Sequence, residues 1–326
     1  MSLALSTLHS RDRVNIVEPG RLHPAVSFAR ASTATYMGPA GTLLTAAANA
    51  PRYEYDSLGN YLGLLIEQAQ TNALLNSATV ATQNITVTAA ARTLSFYGTG
   101  TITLSGTFSG SLVGTGASNR VTLTFTPAAG TLTLTVSGSC TNGQLETGAF
   151  ATSYIPTTSA AVTRSADVAQ VSNLALIGYN ALAGSMLAAV VLLDVAAYHQ
   201  IASFDDGTTN NRISALSLSG GAGSGSPRID IAASGVISIN SLFVNPKFVA
   251  GVPGKCVSTW DNTGASVVSM GGTAGSVSAT VTMPAVTQLV LGNRGGGGGV
   301  TLNGRIKSLT YYARRLPNSE LQRLTA

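Results

Sequence analysis

Three runs decide the fold: Thr101-Ile102-Thr103-Leu104-Ser105, Val121-Thr122-Leu123-Thr124-Phe125-Thr126 and Thr131-Leu132-Thr133-Leu134-Thr135-Val136. In each, apolar and hydroxyl side chains alternate with a period of two. Successive side chains of a strand point to opposite faces, so each run presents one apolar face and one hydroxyl face. That is the pattern of an antiparallel sheet packed on one side and wet on the other. Turn signals separate the runs, at Gly98-Thr99-Gly100, Gly114-Thr115-Gly116, Ala129-Gly130 and Asn142-Gly143. The stretch 76–165 therefore predicts a small β-sandwich.

Downstream, residues 166–326 predict a second antiparallel β-sandwich. Strands are expected at Met186–Val195, His199–Phe204, Arg212–Leu218, Arg228–Ala232, Cys256–Trp260, Ser266–Met270, Gln288–Leu291 and Gly304–Tyr312. Asp205-Asp206-Gly207 and Asp261-Asn262-Thr263-Gly264 read as hairpin turns, and Gly295 to Gly299 as an exposed flexible loop. Pro317, followed by Ser319, Glu320, Leu321 and Leu324, predicts a short C-terminal helix. Neither region carries a helical crossover pattern, so a parallel α/β sheet is not expected.

Upstream, residues 1–75 mix prolines, glycines and dense charge without a period. They predict an extended N-terminal arm. Its apolar residues Val14, Ile16, Leu22, Val26 and Phe28 are expected to bury against another chain, making a homo-oligomer. The fold class is thus all-β: an arm, then two antiparallel β-sandwich (jelly-roll) domains, then a short helix.

Composition narrows the function. Of 326 residues only 10% are charged while 44% are hydrophobic, which excludes a disordered chain. The net charge, 18 − 13 = +5, is spread without dense basic tracts, so nucleic acid is not an expected partner. Two cysteines, Cys140 and Cys256, make neither a disulfide scaffold nor a four-ligand zinc site. The first eight residues lack a basic n-region, and Ala181 to Leu193 is too short for a membrane span. Synthesis without a signal peptide and no membrane insertion are the expectations.

Chemistry needs a constellation. A glycosidase needs two carboxylates flanking the scissile bond. No acidic residue lies between Glu67 and Glu146, and Asp205, Asp206, Asp230 and Asp261 read as turn or strand carboxylates. His9, His23 and His199 have no metal-ligand spacing, and no Gly-x-Ser-x-Gly elbow supports a triad. No catalytic residue, metal ligand or cofactor is assigned. Calcium stays open, because Asp205, Asp206, Asn210 and Asn211 are close enough in sequence to contribute oxygens. Trp260, in Cys256-Val-Ser-Thr-Trp260, fits an inward strand position.

Four segments in the first 77 residues resemble a recurrent part of tailed-bacteriophage virion proteins. They are Phe28-Ala-Arg-Ala-Ser-Thr-Ala-Thr-Tyr36, Asn49-Ala-Pro-Arg-Tyr-Glu-Tyr-Asp56, Leu64-Leu-Ile-Glu67 and Thr71-Asn-Ala-Leu-Leu-Asn-Ser77. Gln144-Leu-Glu-Thr-Gly148 with Ala151-Thr-Ser-Tyr-Ile-Pro156 resembles the closing strand of carbohydrate-binding-module-like phage domains. Leu302-Asn-Gly-Arg-Ile306 with Leu309-Thr-Tyr-Tyr-Ala-Arg-Arg-Leu316 resembles the end of a concanavalin A-like lectin jelly roll. At Pro317 the chain departs from the Ser N-cap common there. The resemblance implies a virion component in a tail fibre, tail tip or other appendage, among other virion proteins, with a trimer favoured. In the nearest match to the lectin-fold hydrolases' Glu-x-Asp-x-x-Glu, Glu54-Tyr-Asp56-Ser-Leu-Gly59, the third carboxylate is missing.

The expected partner is a host cell-surface glycan. Tyr198, Asp205, Asn210, Asn211, Arg212 and Arg294 flank predicted loops and are the candidate contacts. Arg294, Arg305, Lys307, Arg314, Arg315 and Arg323 face only Glu320 over the last stretch, which favours an acidic glycan or an acidic neighbour. Two rivals stand beside this reading: a head decoration or tail-assembly protein using its jelly rolls only for protein contacts, and a glycan depolymerase.

Overall fold

The computed structural model describes residues 12–196, 198–218, 224–241, 246–269, 272–296 and 300–326. Strands pair antiparallel throughout. The three alternating runs become strands Thr101–Gly106, Gly116–Phe125 and Gly130–Ser137. The first and third are neighbours in a four-stranded sheet, with Ile102 opposite Val136 and Leu104 opposite Leu134. Gly116–Phe125 pairs with Arg92–Gly98 in a three-stranded sheet. Ile102, Leu104, Leu132 and Leu134 meet Leu94, Phe96 and Leu145 in one buried core, while Thr103, Thr131 and Thr135 stay exposed.

The larger sandwich packs a nine-stranded sheet on a seven-stranded one. Arg212–Leu218, Gln288–Leu291 and Gly304–Tyr312 have the expected bounds. Val168–Val171 and Gly275–Ser278 are additions, too short to register a period in sequence. The expected strand end at Met270 and the glycines 297–299 lie outside the described residues. Trp260 is fully buried, and a Cβ on Gly184 would sit 2.4 Å from its ring. The helix Asn318–Thr325 starts after Pro317, which offers no side-chain cap.

The expectation of a separate arm is corrected. Arg13–Glu18 lies beside Gly304–Tyr312 inside the nine-stranded sheet, and Tyr61–Ile66 pairs with the same strand. Ser27–Ala29 forms the edge of the seven-stranded sheet. At Gly63, with φ +141°, a Cβ would lie 2.7 Å from the Ile306 carbonyl carbon, so only glycine permits this approach. Ile16 is fully buried, and Val14, Leu22, Val26 and Phe28 pack on the same intramolecular core. Ile16 is covered by its own chain, and the other four are partly covered by it. The physical reason is pairing: short irregular strands that cannot build a core alone complete someone else's sheet, here that of residues 168–312. The larger sandwich therefore draws on both 13–66 and 168–312, with the smaller one inserted between them.

The two sandwiches meet at a buried ionic cluster. Arg30, Arg52 and Arg164 converge on Glu67 and Asp167, all at most 1% exposed in their side chains. Arg52 lies 2.6 Å from Asp167 Oδ2 and 2.9 Å from Glu67 Oε2, and Arg30 lies 3.1 Å from Asp167 Oδ1. Glu67 also accepts the Ser153 N–H and hydroxyl, both at 2.7 Å. One residue back, Glu146 accepts the Thr152 N–H and hydroxyl, again at 2.7 Å. Asn72 ties the same joint, donating to the Gly143 and Ile155 carbonyls and accepting from Leu74 and Leu145. Burial opposes ionisation of Glu67, but Arg164, Arg52 and the Ser153 donors outweigh it and hold its carboxyl down at about 2, against an ordinary 4.5. Burial raises the Glu146 carboxyl above its ordinary value, with Thr152 and Arg120 opposing.

Leu134→Asp should cost more than about 3 kcal/mol in denaturant unfolding, because it drives a charge into the small core. Thr122→Asp, on the exposed face, should stay within about 0.5 kcal/mol. The Glu67 contribution, from a lowered pKa, is complete above pH 4.5 and fades as pH falls toward about 2. Glu67→Gln should cost roughly 3–5 kcal/mol at neutral pH, by leaving three buried guanidiniums with one carboxylate. It should also flatten the stability–pH curve in that acid window. Glu146→Gln should cost less, since folding already disfavours that charge.

Candidate functional site

The larger sandwich builds a cleft on one face of its seven-stranded sheet. Along Pro227–Ala233, Ile229 and Ile231 enter the core, so Arg228 and Asp230 point the other way. In the neighbouring strand Ile213 enters the core, which turns Arg212 and Ser214 to the same side as Asp230. Tyr198, just before His199–Asp205, and Arg294, in the loop after Gln288–Leu291, complete a cleft of about 320 Å³ with Ile237 and Val300.

Tyr198 is the hub. The Arg228 guanidinium lies 5.3 Å and the Arg294 guanidinium 5.5 Å from its ring centroid. Its hydroxyl donates to Asp230 Oδ2 at 3.0 Å, and Asp230 Oδ1 takes Arg228 at 2.5 Å. Arg212 is 9% exposed and donates through Nη1 to the Thr209 carbonyl, but its Nε–H is buried without a partner. The Arg294 Nε–H is likewise buried and unpartnered. Three guanidiniums thus face one carboxylate among the described lining residues. Cation–π contact, about 0.5–1 kcal/mol per pair at such sites, offsets part of the like-charge repulsion.

The basic run near the C-terminus resolves in the same direction. Arg305 pairs with Glu54, Arg315 with Asp261, and Arg314 and Arg323 with Glu320. Arg294 has no ion pair among the described residues.

Of the six residues expected from sequence, Tyr198, Arg212 and Arg294 share this cleft. Asp205 does not, and its expected role at the surface is corrected. It is fully buried, with Oδ1 accepting from Gly207 N at 3.0 Å and Gln288 Nε2 at 2.7 Å, and Oδ2 from Gly295 N at 2.8 Å. Through Gly295 it fixes the loop that carries Arg294, so it is a positioning residue. Asn211 donates to Asp206 and accepts from Ser234 N, both at 2.9 Å, while Asn210 is exposed in the same turn. Hydrogen bonds from Thr208 and Asn211 hold the Asp206 carboxyl below its ordinary range. The Asp205, Asp206 and Asn211 oxygens weighed for calcium therefore already face donors of the chain. Among the described residues no three His, Cys, Asp or Glu gather as a metal site. His199 is held between the Thr301 carbonyl, 3.0 Å, and Asp194, 3.2 Å.

Arg228 was not among the expected residues. Its signal is the alternation Arg228-Ile229-Asp230-Ile231, which puts an opposite-charge pair on one face of one strand.

No family model matches the chain, and no curated protein matches it. Among solved structures it is similar to the NanB sialidase from Streptococcus pneumoniae, with TM-score 0.37 and 12% identity over 44% of this chain and 24% of that one. It is similar to the CBM40 of the Ruminococcus gnavus IT-sialidase bound to α2,3-sialyllactose, with TM-score 0.38 and 15% identity over 47% of this chain and 86% of that one. It is also similar to the Trypanosoma rangeli sialidase in complex with the inhibitor DANA, with TM-score 0.37 and 16% identity over 48% of this chain and 26% of that one. The chain spans about a quarter of the two whole sialidases.

Asp205→Asn should lower stability by roughly 1–3 kcal/mol in thermal or denaturant unfolding, because one amide NH2 must then face a buried N–H donor. A change confined to ligand binding, with unaltered stability, would argue against the anchor role.

Proposed function

We propose that the chain is a non-catalytic glycan-binding protein whose larger sandwich takes an acidic sugar in the Tyr198–Arg294 cleft. The observation that carries this reading is the excess of guanidinium in the cleft: Arg212, Arg228 and Arg294 line it with one carboxylate, Asp230, among the described residues. A carboxylate is the planar two-oxygen acceptor that a guanidinium fork matches. Tyr198 supplies an aromatic body for the sugar ring beside a polar tip. The virion setting, with host attachment as its purpose, rests on the segments quoted from the sequence. Affinity per site is low, since a shallow polar cleft must shed water from its own donors. Several copies on one particle would raise it.

Hydrolysis is not part of this reading. Asp230, the carboxylate of the cleft among the described residues, is already engaged by Arg228 and Tyr198, and a glycosidase needs a second.

The test is calorimetric titration of the full chain with sialate- or uronate-bearing oligosaccharides and with their methyl esters. The ester keeps the shape and removes the charge. Binding of the acid should exceed that of the ester, weaken as salt rises, and fall roughly 10- to 100-fold in Arg294→Ala. Equal binding of acid and ester would refute the acidic-sugar reading. Release of reducing sugar would replace it with the depolymerase.

A further inference from the structure

A second cleft lies at the junction of the two sandwiches, and its chemistry differs from that of the first. The hairpin Ala34–Met37 with Leu43–Ala46 and the strand Tyr53–Tyr55 wall one side. Tyr97 and Arg120, from Arg92–Gly98 and Gly116–Phe125 of the small sandwich, wall the other. The space is about 250 Å³, and four tyrosines line it: Tyr36, Tyr55, Tyr97 and Tyr154. Tyr154 is fixed by a 2.7 Å hydroxyl contact with Ser77, whereas Tyr36, Tyr55 and Tyr97 are half-buried.

One polar group in this cleft has capacity left. The Glu54 side chain is 10% exposed, and one oxygen accepts from Arg305 Nε. Its other oxygen has only a long 3.5 Å contact from Met37 N. Arg120 donates to the Thr152 carbonyl and to Ser95, but its Nε–H is buried without a partner. Asp56 is different, since Leu58 N, Asn60 N and Asn60 Nδ2 all reach its carboxylate at 2.8 Å. Glu54 and Asp56 balance Arg120 and Arg305, so the lining offers no net charge to a ligand.

We propose that this cleft is a separate binding site for one neutral sugar ring. A ring hydroxyl can donate to the Glu54 oxygen that has only the long Met37 contact. Tyrosine faces take the apolar face of the ring. The volume is below the roughly 300–1,000 Å³ of pockets for drug-sized ligands, which suits a single ring and not a long oligosaccharide. The neutral lining gives no preference to an acidic sugar. This site stands apart from the acidic-sugar reading, and neither depends on the other.

The full chain is titrated with methyl glycosides of glucose, galactose, mannose and N-acetylglucosamine, followed by saturation-transfer NMR. At least one should bind with a Kd in the millimolar range. Tyr97→Ala should weaken it at least fivefold, and Arg294→Ala should leave it unchanged. Ser118→Tyr, at an exposed position on the rim, should block the cleft without touching either core, and keeps the test usable if Tyr97→Ala misfolds. No binding of any of the four glycosides, or binding that survives Ser118→Tyr, overturns the proposal. Loss of neutral-sugar binding in Arg294→Ala also overturns it, by placing the ligand in the first cleft.

Discussion

The contact between Arg52 and the two carboxylates Glu67 and Asp167 is what the rest of the architecture hangs on. Glu67 ends the strand Tyr61–Ile66 of the larger sandwich and caps Ser153 beyond the last strand of the smaller one. Asp167 begins the return of the chain into the larger sandwich at Val168–Val171. Between them they hold three guanidiniums that also donate to the Thr35, Ser32, Ala47 and Gln68 carbonyls, while the Nε–H groups of Arg52 and Arg164 lack partners. A buried ion pair is a weak source of stability in itself, because two desolvation penalties offset the attraction. Its geometry is demanding, however. Through Ser153, which donates to Glu67 and accepts from Arg52, the cluster also holds the segment that leaves the smaller sandwich.

That arrangement gives the quoted sequence segments a physical meaning. Leu64-Leu-Ile-Glu67, Thr71-Asn72, Gln144-Leu-Glu146 and Ala151-Thr-Ser-Tyr-Ile-Pro156 are far apart in sequence but meet at one joint. Glu67 and Glu146 cap the consecutive residues Ser153 and Thr152, and Gln144 accepts from Ile155 N at 2.6 Å. Each of these polar residues closes a buried hydrogen bond that would otherwise be lost at about 1–3 kcal/mol.

How much was legible follows from the range of the interactions. The sandwich cores were readable, since the period-two pattern from Ile102 to Val136 is local and depends only on which face is wet. The N-terminal strands were not, because Arg13–Glu18 pairs with residues nearly the whole chain away, and nothing local announces such a partner. Half of the site was readable for a related reason. Loops flanked by strands display their side chains, which picked out Tyr198, Arg212 and Arg294. The same rule misplaced Asp205, whose carboxylate serves the backbone of two loops at once, and passed over Arg228 inside a strand.

Arginine carries both the joint and the cleft, and the difference between the two uses is partnership. Arg52 places its Nη groups on two carboxylates, a carbonyl and a hydroxyl, and is sealed from water. Arg294 has the ring of Tyr198 and no carboxylate among the described residues. A folded chain gains nothing by gathering Arg212, Arg228 and Arg294 around one Asp230, since the like charges repel and two Nε–H groups stay unsatisfied. In the interior the chain sets two carboxylates among three guanidiniums, although the Nε–H groups of Arg52 and Arg164 still lack partners. In the cleft it sets one carboxylate among three, and the buried Asp205 holds the Arg294 loop in place. On the acidic-sugar reading proposed above, a carboxylate from outside would give these guanidiniums the acceptor oxygens that the chain itself places elsewhere.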